Sequence, residues 1–544
     1  MSYTDAQRDI WSKMLSHADL LLTNARVLTM EGRQPLAEAV AVQGETIVAV
    51  GSALEIAGLK GARTRVIDCQ GLTLLPGFID AHCHLLALAG SLTGIDCHPE
   101  NVPSIVELKQ AVQQQARRTP PGHWIRGYGY DEVSLTERRH PNRFDLDEVA
   151  PRHPVRLDHR SGHATVLNTL GLGLAGIHRG TADPVEGMIK RGEGSSEPSG
   201  VLLEMSTFLR ERLGPSRDKA EFDAGIARAN RMLLEYGVTS VQDAGPGNDL
   251  ARWSTFRDLI KSERLQSRVT MMAGATQMDE CVTAGMGWGV GDDRLRLGHA
   301  KIMLTLTTGS LHPNVGELQQ LVAAAHRGRF PVAVHAVEAE AVAAAVQVIR
   351  EEPRTVAAQD QPLGVKLPPD RIEHCSECPP ELIAQVKKSG AAVVTQPGFI
   401  YWNGDSYLER VEPGLLPHLY AIGSLTSGGI PVAFGSDAPV IDPNPWPAIY
   451  AALTRLTRNG SWLPEGEKDR RGQQVSVMDA LRMYTTGGAW ADGSQARKGS
   501  IRAGKLADLV LVDADPTRVA PSGLKSIKAV LTIIGGKVVW NGGL

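Results

Sequence analysis

Two rhythms of hydrophobic residues alternate along the chain and divide it. Short apolar runs that read as strands occupy 20–22, 27–29, 39–42, 47–50 and 66–68, broken by Asn24, Gly44 and Gly51. The same texture returns at the far end in 507–512, 529–534 and 538–540. Chain ends often lie close together in a fold. Residues 18–74 and 496–544 are therefore predicted to build one composite β-sandwich, and 1–17 a short N-terminal helix or arm.

Between these ends, over 75–495, apolar runs alternate with amphipathic stretches such as 317–327 and 339–350, the signature of a parallel sheet wound with helices. The run 72–79 is apolar except for Thr73, Pro76 and Gly77, as expected of a strand buried on both faces. Seven further runs follow at 237–243, 268–273, 300–304, 331–335, 371–374, 391–396 and 431–437. Eight strands are the number that closes a barrel, so the fold class is α/β, a (β/α)8 TIM barrel beside the sandwich. Residues 86–236 break the rhythm with Pro-, Gly- and Arg-rich segments and two strand-like runs, 124–127 and 154–157. They read as an insertion that caps the barrel mouth.

Composition narrows the function classes. The 544 residues exceed what one core accommodates, and 42% hydrophobic and 22% charged residues with a formal net charge of −3 describe an ordinary globular protein. No long basic run, amphipathic basic stripe or bilayer-length apolar run appears, so neither nucleic acid nor a membrane is an expected partner. The first twenty residues mix Asp5, Arg8, Asp9 and Lys13 with apolar positions and contain no signal-like segment. Six cysteines at this length argue for a reducing compartment, and the cytoplasm is expected. Cys375 and Cys378 have redox-pair or zinc spacing, but without a second pair they read as packing residues.

Chemistry collects where the predicted strands end. On a strand rising ~3.3 Å per residue, His82 and His84 point the same way about 7 Å apart, a ready pair of metal ligands. Lys301, His335, His374 and Asp437 stand at the ends of further strands, and in barrel enzymes that end carries the chemistry. Singly, each has a plain explanation: a hydrogen-bonded core histidine, a solvated lysine, a helix-capping aspartate. Jointly, four histidines and a carboxylate suit zinc or another borderline divalent ion.

Several ordered motifs carry a wider likeness. They are Leu-Pro-Gly-Phe-Ile-Asp-Ala-His-Cys-His (75–84), Trp-Ile-Arg-Gly-Tyr-Gly-Tyr-Asp (124–131), Gly162-His163 with Asn168 behind it, and Gly-Val-Thr-Ser-Val-Gln-Asp (237–243). Val-His-Ala (334–336), Arg-Ile-Glu-His (371–374), Thr-Gln-Pro (395–397), Gly-Ser-Asp-Ala-Pro-Val (435–440) and the return at 499–510 complete the set. In these the sequence resembles the amidohydrolase superfamily, and within it amidohydrolase family 3, the YtcJ-like branch. The resemblance implies a distorted barrel holding one or two divalent ions, with zinc expected. One ion would sit on His82, His84 and Asp437 and the other on His335 and His374, with Lys301 bridging them as N6-carboxylysine. Asp437 and His374 would be catalytic, Asp437 taking a proton from water and delivering it to the leaving amine. A bound ion lowers the pKa of its water from about 15.7 toward about 7. The expected reaction is hydrolysis of a C–N bond in an amide, formamide, urea or carbamate. Dimers are common in the superfamily, so a homodimer is expected.

Two departures from the branch open an alternative. No Asp-Gly pair follows Lys301, which is succeeded by Ile-Met-Leu-Thr-Leu-Thr-Thr-Gly309, and the helix after His335 begins with Ala-Val-Glu338. His-x-x-Glu at this place resembles the mononuclear deaminases of the superfamily, with Glu338 shuttling protons to a nucleobase-like heterocycle. One metal would then sit on His82, His84, His335 and Asp437. The plain reading of Glu338 is a carboxylate favoured in a helix first turn. Expected pocket walls are Tyr128, Tyr130, His163, Met303, Gln396, Tyr401 and Trp402, of which His163, Gln396, Trp402 and Tyr130 are the substrate-binding candidates. Such an aromatic and apolar lining suits a small neutral or aromatic substrate. A metal-binding barrel kept for assembly without turnover is the reading from another class, disfavoured by the complete ligand set.

Overall fold

The computed structural model of the protein describes residues 17–544 apart from 185–186, 193, 215–218, 308, 355–366 and 465–471. The predicted N-terminal arm, His17 excepted, lies outside the described residues. No helix among the described residues is long and apolar enough to cross a membrane.

The two chain ends pair. One sheet holds Thr46–Gly51, Ala39–Gln43, Leu20–Thr23 and Arg65–Asp68 in that order. The other holds Lys537–Asn541, Ala529–Ile534, Leu509–Val512, Thr73–Pro76, Arg26–Leu28 and Leu36–Ala37. Antiparallel pairing of Leu74 with Leu511 and of Leu75 with Val510 joins the ends. Alternate residues of a strand face opposite ways, so Leu20, Leu22, Val40 and Val42 meet Leu74, Leu509, Leu511 and Leu531 in one buried layer.

The apolar run 72–79 is two strands, not the single strand expected. Thr73–Pro76 belongs to the sandwich, and Phe78–Cys83 opens the barrel. The chain changes sheets at Gly77, where a Cβ would stand 2.2 Å from Thr239 Cγ2. Both strands are buried along their whole length, so apolar periodicity runs through the junction without a mark.

The barrel strands are β1 (Phe78–Cys83), β2 (Val238–Asp243), β3 (Arg268–Gly274), β4 (Leu295–Met303), β5 (Val332–Ala336), β6 (Arg371–His374), β7 (Ala392–Thr395) and β8 (Val432–Phe434). They lie in sequence order, and every neighbouring pair is parallel. Just beyond β8 the ring closes onto β1: the Asp437 N–H donates to the His82 carbonyl at 2.7 Å and the His84 N–H to the Ala438 carbonyl at 2.8 Å. Gly435 permits this approach, because a Cβ there would meet His82 N at 2.6 Å. The helices Val315–Arg327 and Ala339–Glu351 stand where amphipathic spacing put them.

The insertion is narrower and more ordered than 86–236 suggested. Helix Leu85–Ser91 follows β1 directly, and its Leu85, Leu88 and Ala89 share the barrel core with Ile226, Ala229 and Leu233 of helix Lys219–Glu235. Between these helices lies a sheet of six strands: Met188–Arg191, Pro198–Leu203, Ala164–Leu167, Val155–His159, Ile125–Tyr130 and Ile95–Asp96. Only Ile125–Tyr130 and Val155–His159 had been expected. The others are short or carry Pro198, Gly200, Lys190 and Asp96, and show no clean alternation.

Candidate metal centre

Strands β1, β4, β5 and β6 deliver His82, Lys301, His335 and His374 to the C-terminal rim, while His84 and Asp437 stand in the turns after β1 and β8. His84 Nε2 lies 3.0 Å and His82 Nε2 3.4 Å from the same oxygen, Asp437 Oδ1. Ring centroids are 5.3 Å apart for His82 and His84, 4.8 Å for His82 and His374, and 4.4 Å for His335 and His374. One ligand atom from each of His82, His374 and Asp437 lies within 4.8 Å of the other two. His82 Nε2, His374 Nε2, Asp437 Oδ1 and Lys301 Nζ are all buried and make no aligned hydrogen bond. Leaving a buried polar atom unpaired costs about 1–3 kcal/mol, so three gathered on His82, His374 and Asp437, with Lys301 Nζ unpaired as well, call for a bound ion. The donor set fits a divalent metal. His374 (φ 72°) and Asp437 (φ 59°) also hold left-handed backbone conformations, which persist only where surrounding structure enforces them.

The ligands are held from behind. His82 Nδ1–H donates to Glu373, which Arg371 also engages. Arg371 donates in turn to the Ala81 carbonyl at 2.6 Å and to Gln242 Oε1. With Nδ1 occupied, the Nε2 of His82 is the nitrogen presented to a metal. His374 repeats the device, its Nδ1–H donating to Gln396 Oε1 at 2.8 Å. Asp80 accepts from the Ser436 N–H at 2.9 Å and from its hydroxyl, tying the turn that carries Asp437 to β1. Sequence reasoning did not assign Glu373, Arg371 or Asp80 a place in the site. Their signal was charge inside strands with no solvent face: Arg371 and Glu373 are 0% exposed and Asp80 1%.

Electrostatics follow from burial and these partners. Burial pulls Lys301 down to about 8 and His374 down to about 3. Burial, then the neighbouring His374, pushes His335 well below its ordinary value. Burial alone would raise Asp437, but the imidazoles of His82 and His84 hold its carboxyl well below the usual range. Glu373 likewise stays low against burial, through Arg371 and His82. Asp80 is pushed up to about 6 by burial, which its Ser436 bonds only partly offset. His335 and His374 are thus held neutral beside the anionic carboxylate of Asp437, the protonation states of metal ligands.

The sequence model of the amidohydrolase family matches residues 65–540. The chain belongs to the amidohydrolase family. It is an enzyme, a metal-dependent hydrolase acting on carbon–nitrogen bonds other than peptide bonds. The N-substituted formamide deformylase of Arthrobacter pascens is 28% identical, covering 96% of this chain and 98% of its own. YtcJ of Bacillus subtilis is 24% identical over 95% of this chain and 98% of its own. Among solved structures, an uncharacterized metal-dependent hydrolase from Pyrococcus horikoshii superposes with a TM-score of 0.72, at 24% identity, over 92% of this chain and 99% of that one.

This amidohydrolase places the predicted substrate contacts unevenly. Gln396 is fully buried and serves His374 as its hydrogen-bond acceptor, a positioning part in place of the pocket wall expected. Tyr130 is 0% exposed within the insertion's own core, its hydroxyl 3.1 Å from His140 Nδ1, so it too is not a pocket wall. Trp402, on helix Gly398–Arg410, packs edge-on against Tyr401 at 5.1 Å and beneath the Arg458 guanidinium at 5.0 Å. His163 comes against the histidine cluster from the insertion, its ring 5.8 Å from that of His335. Glu338 is the N-cap residue of helix Ala339–Glu351 but makes no capping hydrogen bond, and burial raises its carboxyl. Cys375 and Cys378 are buried and free.

Proposed function

We propose that this amidohydrolase hydrolyses the C–N bond of a small neutral or aromatic amide, formamide, urea or carbamate at a two-zinc centre bridged by N6-carboxylated Lys301. The observation that carries this reading is the convergence of ligand atoms from His82, His374 and Asp437 within 4.8 Å of one another, with His82 Nε2, His374 Nε2, Asp437 Oδ1 and the buried Lys301 Nζ all unpaired. An ammonium cannot ligate a cation, but burial that brings Lys301 to about 8 leaves more neutral amine near neutral pH than a free lysine has. Attack of that amine on carbon dioxide forms an N–C bond and releases a proton, leaving an anion with two donor oxygens. His82, His84 and Asp437 would hold one ion, His335 and His374 the other, and the carbamate would join them. Bound divalent ions supply acidified water and polarise the scissile carbonyl. Asp437 accepts the water's proton on its carboxylate and returns it to the leaving nitrogen. The formamide deformylase relative acts on N-substituted formamides, which supports a formamide within the proposed class.

Elemental analysis of protein purified with bicarbonate and without chelator tests this reading. Two ions per chain are expected, falling in Lys301→Ala with loss of turnover that short-chain carboxylates partly restore. One ion per chain, with full activity in Lys301→Ala, overturns the bridge. It favours a mononuclear deaminase using Glu338, detected by ammonia release from heterocyclic amines.

A further inference from the structure

The inserted sheet brings one histidine against the metal centre. His163 stands in the turn between strands Val155–His159 and Ala164–Leu167, with its ring 5.8 Å from that of His335. Its Nδ1 is 2.8 Å from Glu204 Oε1, and the Glu204 N–H donates to the His163 carbonyl at 2.8 Å. Glu204, just past strand Pro198–Leu203, is held at φ 53°, a conformation non-glycine residues seldom keep. With Nδ1 committed to Glu204, Nε2 is the ring nitrogen left to face the centre. The rings of His82, His335 and His374 are buried, whereas 27% of the His163 side chain is exposed. An incoming molecule therefore meets this imidazole edge before it reaches the deeper ligands.

We infer that His163, with Glu204 as its positioning residue, grips the C(=O)–N group of the substrate, a hydrogen-bonding contact that the insertion adds to the barrel's own residues. An amide offers both a carbonyl acceptor and, where the nitrogen bears hydrogen, an N–H donor, so Nε2 has a partner on it. On the barrel side His82, His374 and Asp437 are gathered as a metal site, and Gln396, whose Oε1 accepts from His374, has only the N–H donors of its buried Nε2 left to offer a substrate. The insertion is thus part of the active site, and its length and sequence set which amides enter.

The inference rests on the amide-hydrolase reading, and one experiment separates them. Acetohydroxamate, which carries a C(=O)–N–H group, is titrated calorimetrically into metal-loaded wild type, His163→Phe, Glu204→Leu, Glu204→Gln and the double variant His163→Phe with Glu204→Leu. Metal content and thermal unfolding are followed alongside. At unchanged metal content, His163→Phe and Glu204→Leu are expected to bind at least tenfold more weakly, and the double variant no more than threefold more weakly than His163→Phe. Glu204→Gln, which keeps an acceptor for Nδ1–H, is expected within threefold of wild type. Wild-type affinity in His163→Phe overturns the inference, and His163→Ala is judged by the same measure if the Phe variant unfolds. Weakened binding in a protein that hydrolyses no amide, formamide, urea or carbamate upholds the grip and removes the hydrolase reading instead.

Discussion

At the barrel rim His82, His374 and Asp437 converge, and in the inserted sheet Asp131, Glu132 and His159 converge as closely, each trio offering ligand atoms within 4.8 Å of one another. The difference lies in the cation each already has beside it. In the insertion, His159 Nε2 stands 2.9 Å from Glu132 Oε2, and Arg160 reaches Asp131 at 3.2 Å while also donating to Asn403 on helix Gly398–Arg410. Burial would raise Asp131, but His159 and Arg160 hold it below the usual carboxylate range. A guanidinium keeps its charge and cannot become a ligand. Its bonds to Asp131 and Asn403 tie the insertion to the barrel. At the rim the cation is Lys301, which burial drives toward neutrality. There the imidazoles are braced from behind by Glu373 and Gln396, with their other nitrogens unpaired. Both clusters leave buried atoms without an aligned hydrogen bond, His159 Nε2 and Glu132 Oε2 in the insertion as well as His82 Nε2 and His374 Nε2 at the rim, so what separates them is the permanent charge of Arg160 against a lysine that burial drives toward neutrality.

The sharpest break in this contrast is Asp437→Asn against Glu132→Gln. The first is expected to lower kcat roughly 10²–10⁴-fold, the range for loss of a proton-transferring group, and the second to stay within about threefold. Steady-state turnover decides it, and full activity in Asp437→Asn removes Asp437 from the mechanism. Next in size, Glu373→Gln should weaken metal retention about 10–100-fold by loosening His82, whereas Asp131→Asn should not alter it; chelator competition measures both. Arg160→Ala should lower stability by about 1–3 kcal/mol, seen as a lower denaturant midpoint at constant metal content. Loss of ions in that variant would erase the distinction between the two clusters.

A last check is a pH dependence of the metal-free protein. Lys301 titrates at about 8 when folded against an ordinary 10.5. The unfolded chain binds the extra proton between those values, so stability rises with pH through that window, and the burial penalty is complete below it. Lys301→Met lacks the titration, so its stability advantage over wild type should shrink from pH 8 to 10.5. An advantage independent of pH would mean that Lys301 is not buried as described.

Much of the site was legible because barrel geometry is repetitive. His82, Lys301, His335 and His374 stand at strand ends and Asp437 just beyond one, and strand ends can be read from where apolar runs stop. The braces were not legible. Glu373 sits beside His374 in the chain yet serves His82, 291 residues away, and no local pattern encodes that pairing. Gln396 and Tyr130 were misplaced for a related reason: position near a motif does not say whether a side chain faces the mouth or the core.

Local patterning alone determined the eight-strand barrel, the sandwich shared by both termini and which side chains are candidate ligands, because burial periodicity and donor chemistry are properties of short stretches. The tertiary structure decided where 72–79 changes sheets, which His nitrogen stays free, and which of two His–carboxylate clusters has a permanent cation beside it. Each depends on groups far apart in sequence meeting in a low-dielectric interior, where one added guanidinium or one unpaired amine outweighs any local preference.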